Sequence, residues 1–336
     1  MTVSRRPIAI RADGGSDIGL GHVMRCAALA RALLAAGQPV IWLTKTPDIL
    51  PLDLVSDIEV VALAPAEDEA SSLQRGLAQT GSHGLIADWP LTDIALCAGL
   101  RQAGIWLALI GNHTGAAAAD FIIRQRFQAQ SDESHVCDGS AVLLLGPGYA
   151  RCPKRIVRPA PSRLLVSLGG SRTRTLDRVL DTLNDLPAAA SMEIDIRRPV
   201  AGKQSLQEAG LRDAMLAADI GILAAGTSLH EAAATGLPSL AIPIAANQAQ
   251  RAQEFESCGL GIRVDPAEDR FEENLRAALA RLAGSDTLRR DCAEAGQSRV
   301  DGLGASRVAA RVIARQNSAG TAQASGASGR SAGNAG

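Results

Sequence analysis

Short runs of apolar residues alternate with longer stretches of helical periodicity along most of the chain. The runs are short enough for buried strands, and the stretches between them repeat about every 3.6 residues, as helices do. Buried strands separated by helices are typical of βαβ units and a parallel sheet. The pattern predicts strands at 8–12, 40–44, 58–63, 85–88, 105–110, 121–123, 141–145, 164–168, 193–196, 220–224 and 238–242. It predicts helices at about 22–36, 69–79, 93–103, 175–186, 228–235, 248–258 and 305–316.

The alternation is interrupted between residues 147 and 161, where prolines and basic residues fall without periodicity. A chain of 336 residues is long enough for two domains, which usually take roughly 100–200 residues each. We therefore expect two consecutive doubly wound α/β domains. The expected division is an N-terminal domain over 1–150, a linker over 151–162, a C-terminal domain over 163–304, a helix over 305–317 that crosses back to the first domain, and a disordered Ser/Gly/Ala-rich tail over 318–336.

Composition narrows the class of protein. Hydrophobic residues make up 46% of the chain, as in ordinary globular proteins. A net charge of −1 and an aromatic content of 2% argue against a nucleic-acid or membrane-surface partner. The six cysteines are scattered without a C-x-x-C pair, which fits reduced thiols better than a zinc site or a disulfide framework. Neither a signal peptide nor a membrane span is predicted, so we expect a cytoplasmic protein with a small-molecule partner.

A glycine-rich segment at 11–25, RADGGSDIGLGHVMR, joins the first predicted strand to the first predicted helix. Its spacing is neither that of a dinucleotide fingerprint nor that of a P-loop. His22 falls on the first helical turn, where the helix dipole favours the neutral imidazole that a general base requires. Arg25 follows one turn later and is placed to meet a phosphate or a sugar hydroxyl. Two interpretations stay open: a catalytic His22, or a βα turn shaped by Gly19 and Gly21 and capped by His22.

Two later segments also place a Gly-rich turn between a predicted strand and a predicted helix. SLGGS at 167–171 fits any tight βα turn as well as a ligand site. ADIGILAAGTSLHEAAATGLP at 218–238 brings a Gly-Thr-Ser turn to a helix start, where amides and hydroxyls suit a diphosphate. Glu231 either completes a capping box with Ser228, which the spacing favours, or accepts the two hydroxyls of a ribose. His230 is expected on the helix surface without a role.

The third segment carries a family resemblance. G-(T/S)-x-x-x-E-A-x-x-x-G-x-P followed by N-Q resembles the C-terminal signature of nucleotide-sugar glycosyltransferases typified by the peptidoglycan N-acetylglucosaminyltransferase. The signature is matched at Gly226, Glu231, Ala232, Gly236, Pro238, Asn247 and Gln248. The segment at 11–25 is similar to that of the hydrolases of pseudaminic acid biosynthesis, which release UDP from a UDP-linked 2,4-diacetamido-2,4,6-trideoxy-altropyranose. LGPGY at 145–149 and VDGLGASR at 300–307 extend this resemblance over roughly residues 5–315.

The resemblance implies the GT-B architecture: two doubly wound Rossmann-like domains that bind a nucleotide diphosphate sugar in the cleft between them. His22 would be the general base that activates water, and the amides around Gly19 and Gly21 would hold sugar or phosphate. The diphosphate would be held by Ser171, Gly226, Thr227 and Ser228, the ribose by Glu231, and the sugar by Asn247 and Gln248. Further candidates for substrate binding are Arg11, Asp13, Arg25, Asp88 and Gly170.

The implied reaction is hydrolysis of the anomeric C–O bond of a UDP-linked amino or deoxy sugar, with inversion, in a pathway that modifies flagellin or a surface glycan. One alternative is a glycosyltransferase, in which an acceptor hydroxyl replaces water. The other is a non-catalytic nucleotide-sugar binding protein; it stays open because this chain has Asp88-Trp89-Pro90 where the family has an Asp followed two residues later by Tyr. The sequence contains no D-x-D motif and no His cluster, so neither a metal nor a cofactor is predicted.

Overall fold

Two parallel β-sheets, one in each half of the chain, form the framework of the protein. The structure is a computed structural model that describes residues 5–15, 18–64, 68–88, 94–111, 119–131, 133–169, 174–197 and 208–328. The first sheet has the strand order β3-β2-β1-β4-β5-β6-β7, and the second has the order β12-β11-β10-β8-β9. All the strand pairs described are parallel. The expected pair of doubly wound α/β units is confirmed.

The strands of the first sheet are β1 (Ile8–Ala12), β2 (Val40–Thr44), β3 (Glu59–Ala62), β4 (Gly84–Asp88), β5 (Trp106–Ile110), β6 (Phe121–Arg124) and β7 (Val136–Asp138). Those of the second are β8 (Arg163–Ser167), β9 (Glu193–Ile196), β10 (Ile220–Ala224), β11 (Ser239–Ile242) and β12 (Gly261–Arg263). The helices are α1 (Gly21–Ala35), α2 (Leu52–Val55), α3 (Glu69–Thr80), α4 (Ile94–Gln102), α5 (Arg174–Asn184), α6 (Pro187–Ala190), α7 (Glu208–Ala217), α8 (Ser228–Thr235), α9 (Ala249–Ser257), α10 (Phe271–Gly284), α11 (Asp286–Arg299) and α12 (Gly304–Ser328).

One predicted strand was wrong. Residues 141–145 lie outside the sheet, and the last strand of the first sheet is β7, which the sequence pattern did not indicate. The physical reason is that these apolar residues are buried by a different contact. Leu143 and Leu145 are buried in the same cluster as Leu223 and Leu229 of the second half, so an apolar run here reflects packing between the halves.

Each sheet has one point where the strand order reverses. In the first sheet β1 lies between β2 and β4, and the last residue of β1 pairs with Asp88 at the end of β4. In the second sheet β10 lies beside β8, and Leu223 pairs with Ser167. Ligands of open α/β sheets bind in the crevice outside the carboxyl ends of the strands at such a switch point. The glycine-rich segments after β1, β8 and β10 therefore begin at the two expected binding edges.

The last helix belongs to the core of the first half. Ala305, Val308, Ala309 and Val312 of α12 are buried in one apolar cluster with Val23 and other residues of β1 and α1. The described residues contain no helix that is long and apolar enough to cross a membrane.

The stretch expected to be a linker is firmly attached to the second half. The guanidinium of Arg155 donates to the carbonyl oxygens of Met215 (2.5 Å), Ala218 (2.7 Å) and Thr235 (3.0 Å), at the ends of α7 and α8. Helix C-termini carry unsatisfied carbonyls and partial negative charge, which a cation stabilises. Burial lowers the pKa of Arg155 to about 10.

The two chain segments that connect the halves lie side by side. The amide of Arg151 donates to the carbonyl oxygen of Asp301 at 3.0 Å. Gly302 has a φ of +71°, and a Cβ at this position would overlap the carbonyl oxygen of Tyr149. The motifs at 145–149 and 300–307, which carried part of the family resemblance, are therefore structural partners.

The tail prediction needs a correction. α12 continues to Ser328, so residues 318–328 extend the helix, while 329–336 lie outside the described residues. The segment 318–328 has four alanines and no proline to end the helix, although its two glycines and three serines have low helix propensity.

Deleting residues 318–336 should nevertheless leave the melting temperature and any activity unchanged, because the residues of α12 whose burial the structure describes and that join the core all precede this segment. Differential scanning calorimetry checks this, with Val312→Ala as the control. That change removes two buried methyl groups and should cost about 1–2 kcal/mol of stability. A truncated protein that melts earlier than wild type would show that the end of the helix contributes to the fold.

Candidate active site at the two switch points

His22 and Asp88 form a hydrogen-bonded pair at the switch point of the first sheet. His22 lies on the first turn of α1, and its Nδ1 is 2.8 Å from Oδ1 of Asp88, the last residue of β4. The Asp88 side chain is 1% exposed, whereas that of His22 is 25% exposed. The carboxylate therefore lies beneath the imidazole, which faces the more open side.

Hydrogen-bond chemistry selects one tautomer of His22. A carboxylate only accepts, so the contact with Asp88 requires a proton on Nδ1. A guanidinium only donates, so Nη2 of Arg25, 3.0 Å from the same nitrogen, could bond to it only if Nδ1 carried no proton, and Nη2 has its own acceptor in Asp88 Oδ1 at 2.6 Å. The shorter, charge-assisted contact with Asp88 is the one that fixes the ring. Nε2 is left as the basic nitrogen, which is the arrangement a general base requires.

Arg25 holds Asp88 in its ionised form. Its Nε also donates to Asp88 Oδ2, so the pair is bidentate. Burial alone would raise the pKa of Asp88, but the charge and hydrogen bonds of Arg25, helped by His22, lower it below its usual value. The thiol of Cys26 lies 3.7 Å from the same carboxylate, and burial together with this charge raises its pKa well above the usual value. Cys26 is therefore a protonated core thiol.

Arg11 and Asp13, both predicted to bind substrate, are engaged with the protein itself. Arg11 is 2% exposed and pairs with Asp13 at 2.6 Å and with Glu69 at 2.7 Å. Asp13 also accepts from the hydroxyl of Thr44 at 2.8 Å and from the amide of Lys45 at 2.7 Å. These bonds anchor the start of the glycine-rich loop to β2 and α3, so the two residues position the loop.

Gly19 also has a structural role in the glycine-rich loop. Its amide donates to the carbonyl oxygen of Gly15 at 2.8 Å, and its φ is +77°. The amide is thus already used, which argues against the expected contact with sugar or phosphate. The amides of Gly21 and His22 have no acceptor within α1 because they belong to its first turn, so they are the ones suited to an anion.

The capping box expected at α8 does not form. Thr227, not Ser228, is the N-cap residue, and this cap has no side-chain hydrogen bond among the described residues. The hydroxyl of Ser228 donates instead to the carbonyl oxygen of Ala224 at 3.0 Å. The helix begins one residue earlier than the capping box requires, so Ser228 is its first residue and not its cap. Glu231 is buried, with 9% of its surface exposed, and the capping explanation for its presence falls away.

Gln248 lies beside the Gly-Thr-Ser turn. Its side-chain oxygen accepts from the amide of Ile244 at 3.0 Å, and its Nε2 would be 3.7 Å from a Cβ placed on Gly226. Asn247 precedes it and is exposed. Gly170 and Ser171, predicted to hold the diphosphate, lie outside the described residues.

The two helix starts face each other across the halves. A Cβ on Gly21 would lie 3.3 Å from the hydroxyl oxygen of Thr227, so α1 approaches the turn before α8 so closely that a larger residue would press against the Thr227 side chain. The positive ends of two helices therefore converge at one place, next to the exposed edge of His22. The structure brings together most of the predicted residues that it describes: Gly21, His22, Arg25, Gly226, Thr227, Ser228 and Gln248.

The expectation for His230 was wrong. The side chain is 1% exposed, and its ring lies edge-on to Phe127 with centroids 5.1 Å apart. Neither ring nitrogen has a hydrogen-bond partner among the described residues. Burial, followed by the charges of Arg251 and Arg25, lowers the pKa of His230 well below its usual value. The ring is therefore a neutral group enclosed between the two halves.

Sequence reasoning placed Asp88 at the site but missed that it supports His22. Two signals were available: Asp88 ends a buried strand, and the strand order of a doubly wound sheet brings that end to α1. Arg251 was missed altogether, because nothing in its local pattern distinguishes it from a surface arginine.

Comparison with known proteins supports the architecture. No protein-family model matches the chain. It is 25% identical over 334 residues to the spore coat polysaccharide biosynthesis protein SpsG of Bacillus subtilis, a match covering 90% of this chain and 96% of that protein. It is 29% identical over 130 residues to the pseudaminic acid cytidylyltransferase and UDP-2,4-diacetamido-2,4,6-trideoxy-beta-L-altropyranose hydrolase of Helicobacter pylori, covering 34% of this chain and 24% of that protein. The second similarity is weak and partial.

Among solved structures, the chain resembles MurG from Acinetobacter baumannii with a TM-score of 0.66 at 16% identity, over 92% of this chain and 99% of the other. Two glycosyltransferases, of calicheamicin and of spinosyn, share the same fold. The two parallel sheets and their helices, together with these matches, define a glycosyltransferase-like GT-B fold.

Proposed function

We propose that the protein transfers a glycosyl group from a nucleotide diphosphate sugar, with UDP as the first nucleotide to test, to an acceptor hydroxyl with inversion. One observation carries the proposal. The His22–Asp88 pair lies where the start of α1 meets the turn before α8. In this proposal the base lies beside a helix start of the second half, where backbone amides suit an anion.

The chemistry follows from this placement. Nε2 of His22 removes the proton of the acceptor hydroxyl as its oxygen attacks the anomeric carbon. The C–O bond to the diphosphate breaks on the opposite face, and its electron pair leaves with the diphosphate oxygen. The proton stays on His22, whose imidazolium is stabilised by Asp88. The helix starts stabilise the negative charge that develops on the leaving group.

The remaining residues divide between nucleotide and sugar. We assign the diphosphate to the turn Gly226–Thr227–Ser228, because amides at the start of α8 suit an anion. We assign the ribose to Glu231, one turn into the helix, and the sugar to Asn247 and Gln248 beside the turn. Ser171 and Gly170 keep their sequence-based assignment to the diphosphate.

Transfer has better support than the hydrolysis that the N-terminal motif implied. The solved structures with this fold include glycosyltransferases, and the SpsG match extends over most of the chain. SpsG is by name a polysaccharide biosynthesis protein, which accords with a role in surface glycan assembly.

Hydrolysis remains the second candidate on a specific observation. The chain has a partial match to a protein named for a UDP-sugar hydrolase. Separately, the segment that contains His22 resembles that of such hydrolases. The same base would then deprotonate water, giving free sugar and UDP.

An assay of UDP release separates these functions. The protein is incubated with a panel of UDP-, CDP- and GDP-sugars, with and without saccharide acceptors, and the products are identified by mass spectrometry. Acceptor-dependent release and a new glycoside establish transfer. Release of free sugar at the same rate with and without an acceptor establishes hydrolysis. Binding of the nucleotide sugar without any release of UDP would identify a non-catalytic binding protein.

Glu231→Gln tests the ribose assignment. A carboxylate accepts from both ribose hydroxyls, whereas the amide leaves one acceptor oxygen and adds a donor. Charge-assisted hydrogen bonds contribute about 1.5–3 kcal/mol, so UDP affinity should fall roughly ten- to hundredfold. Titration calorimetry with UDP and with 2′-deoxy-UDP measures the effect. Glu273→Gln, on a side chain 60% exposed, is the control for loss of charge. Equal UDP affinity in wild type and Glu231→Gln would rule out contact with the ribose.

A further inference from the structure

Arg251 contacts the backbone just before the turn that leads into α8. It occupies the first turn of α9, and its Nη1 donates to the carbonyl oxygen of Ala225 at 3.2 Å. Ala225 is fully buried and directly precedes Gly226. The guanidinium is thereby held at the carboxyl end of β10, at the switch point of the second sheet.

Arg251 forms no ion pair with the described residues. No carboxylate among the described residues lies within ion-pair distance of it, whereas the nearby Arg25 is paired with Asp88. Glu254, one turn further along α9, is bonded to Arg126 and to the amide of Phe127. Burial and the charge of Arg25 lower the pKa of Arg251 to about 10, so the group is still a cation at neutral pH. The carboxylates of Glu254 and Asp88 act on this half-buried cation only from a distance, so its desolvation costs free energy that a bound anion would offset.

His230 gives a second, independent sign of a missing partner. The side chain is only 1% exposed, yet neither of its ring nitrogens has a hydrogen-bond partner among the described residues. His230 lies on the first turn of α8, and the charge of Arg251 is close enough to help burial lower the pKa of its imidazole. Buried polar groups are nearly always hydrogen-bonded in native proteins. The unpaired ring of His230, next to a guanidinium without an ion-pair partner among the described residues, therefore points to a polar ligand.

We infer that Arg251 binds the diphosphate of the nucleotide sugar and stabilises it as the leaving group; this inference rests on the proposed function. When the anomeric C–O bond breaks, the electron pair stays on the diphosphate oxygen and the anion gains charge. A guanidinium donates two parallel hydrogen bonds to phosphate oxygens, which neither the helix start nor His22 provides. Arg251 thus supplies a charge that the sequence-based site lacks on the nucleotide side.

Arg251→Gln tests the inference by the number of phosphates in the probe. UDP, UMP, uridine and inorganic pyrophosphate are titrated against wild type, Arg251→Gln and Arg251→Lys. We expect Arg251→Gln to bind UDP and pyrophosphate about ten- to hundredfold more weakly, and uridine as wild type does. Arg251→Lys, which keeps a point charge, should fall in between. Arg270→Gln, whose side chain is 76% exposed, controls for removal of a positive charge from the same half.

The melting temperature without ligand separates binding from a structural role. Removal of a half-buried cation that has no ion-pair partner among the described residues should leave this melting temperature unchanged or raise it. An equal loss of uridine and UDP affinity with a lower melting temperature would overturn the inference, as would wild-type affinity for UDP and pyrophosphate in Arg251→Gln. Wild type that binds neither UDP nor pyrophosphate would also overturn it. Wild type that binds both, weakened by Arg251→Gln, yet releases no UDP from any sugar would refute the proposed function and leave the anion site standing.

Discussion

Replacing His22 with alanine is expected to lower turnover at least ~100-fold while UDP affinity stays near that of wild type, because general acid–base catalysis contributes about 100- to 10,000-fold. The imidazole is fixed by Asp88 and faces the open side of the site, so it has no evident part in holding the nucleotide. Steady-state kinetics with the donor identified by the product assay, together with UDP titration, measure the two quantities.

His22→Gln is the companion variant, since glutamine fills much of the same space and donates a hydrogen bond to Asp88 without acting as a base. It should be as slow as His22→Ala. Wild-type turnover in either folded variant would remove His22 from the mechanism. The control is His135→Gln, on a side chain that is 45% exposed and lies in the connection between β6 and β7.

Asp88→Asn should have the second largest effect, a loss of turnover of about 100- to 1,000-fold. Asparagine can present its amide nitrogen to His22 Nδ1, which selects the tautomer with its proton on Nε2 and leaves no basic nitrogen at the open side. In Ser-His-Asp hydrolases the equivalent change costs about 10,000-fold. Because Asp88 acts through His22, the double variant with His22→Ala should be no slower than His22→Ala alone. Multiplying losses would instead show that Asp88 acts independently of His22.

Stability supplies a second readout for Asp88. Arg25 holds the pKa of Asp88 below its usual value in the folded protein. The pair therefore contributes stability that is fully present above the unfolded pKa of about 4 and is lost as pH falls through the folded value. Asp88→Asn should be less stable than wild type at neutral pH, and the difference should narrow in acid. Urea unfolding at a series of pH values measures this.

Much of the fold followed from the sequence, since buried strands in parallel sheets are written as continuous apolar runs. β1, β2, β9 and β10 begin and end where the pattern placed them. β7 and β12 have only three residues each, too few for any periodicity to identify them. The run at 141–145 was misassigned because apolar residues that pack between two halves look the same as those of a strand.

The site was harder to predict than the fold. His22 and the turn at Gly226 stand out locally, because glycines precede a helix start in both. The link between His22 and Asp88 depends on β4 lying beside β1, which no local pattern records. His230 was misjudged because amphipathic spacing assumes a solvated face, whereas every residue from Leu229 to Thr235 in α8 is buried.

The packing of α12 against α1 has a consequence for how the chain folds as it is synthesised. The first half needs Val308 and Val312 from the far end of the chain to complete its core, whereas the second half is built from consecutive residues. Domains generally fold as units once all of their chain is available. The core of the first half therefore cannot be completed before α12 is synthesised, so the second half is able to finish folding first. Until α12 packs, α1 exposes the apolar surface that this helix later covers.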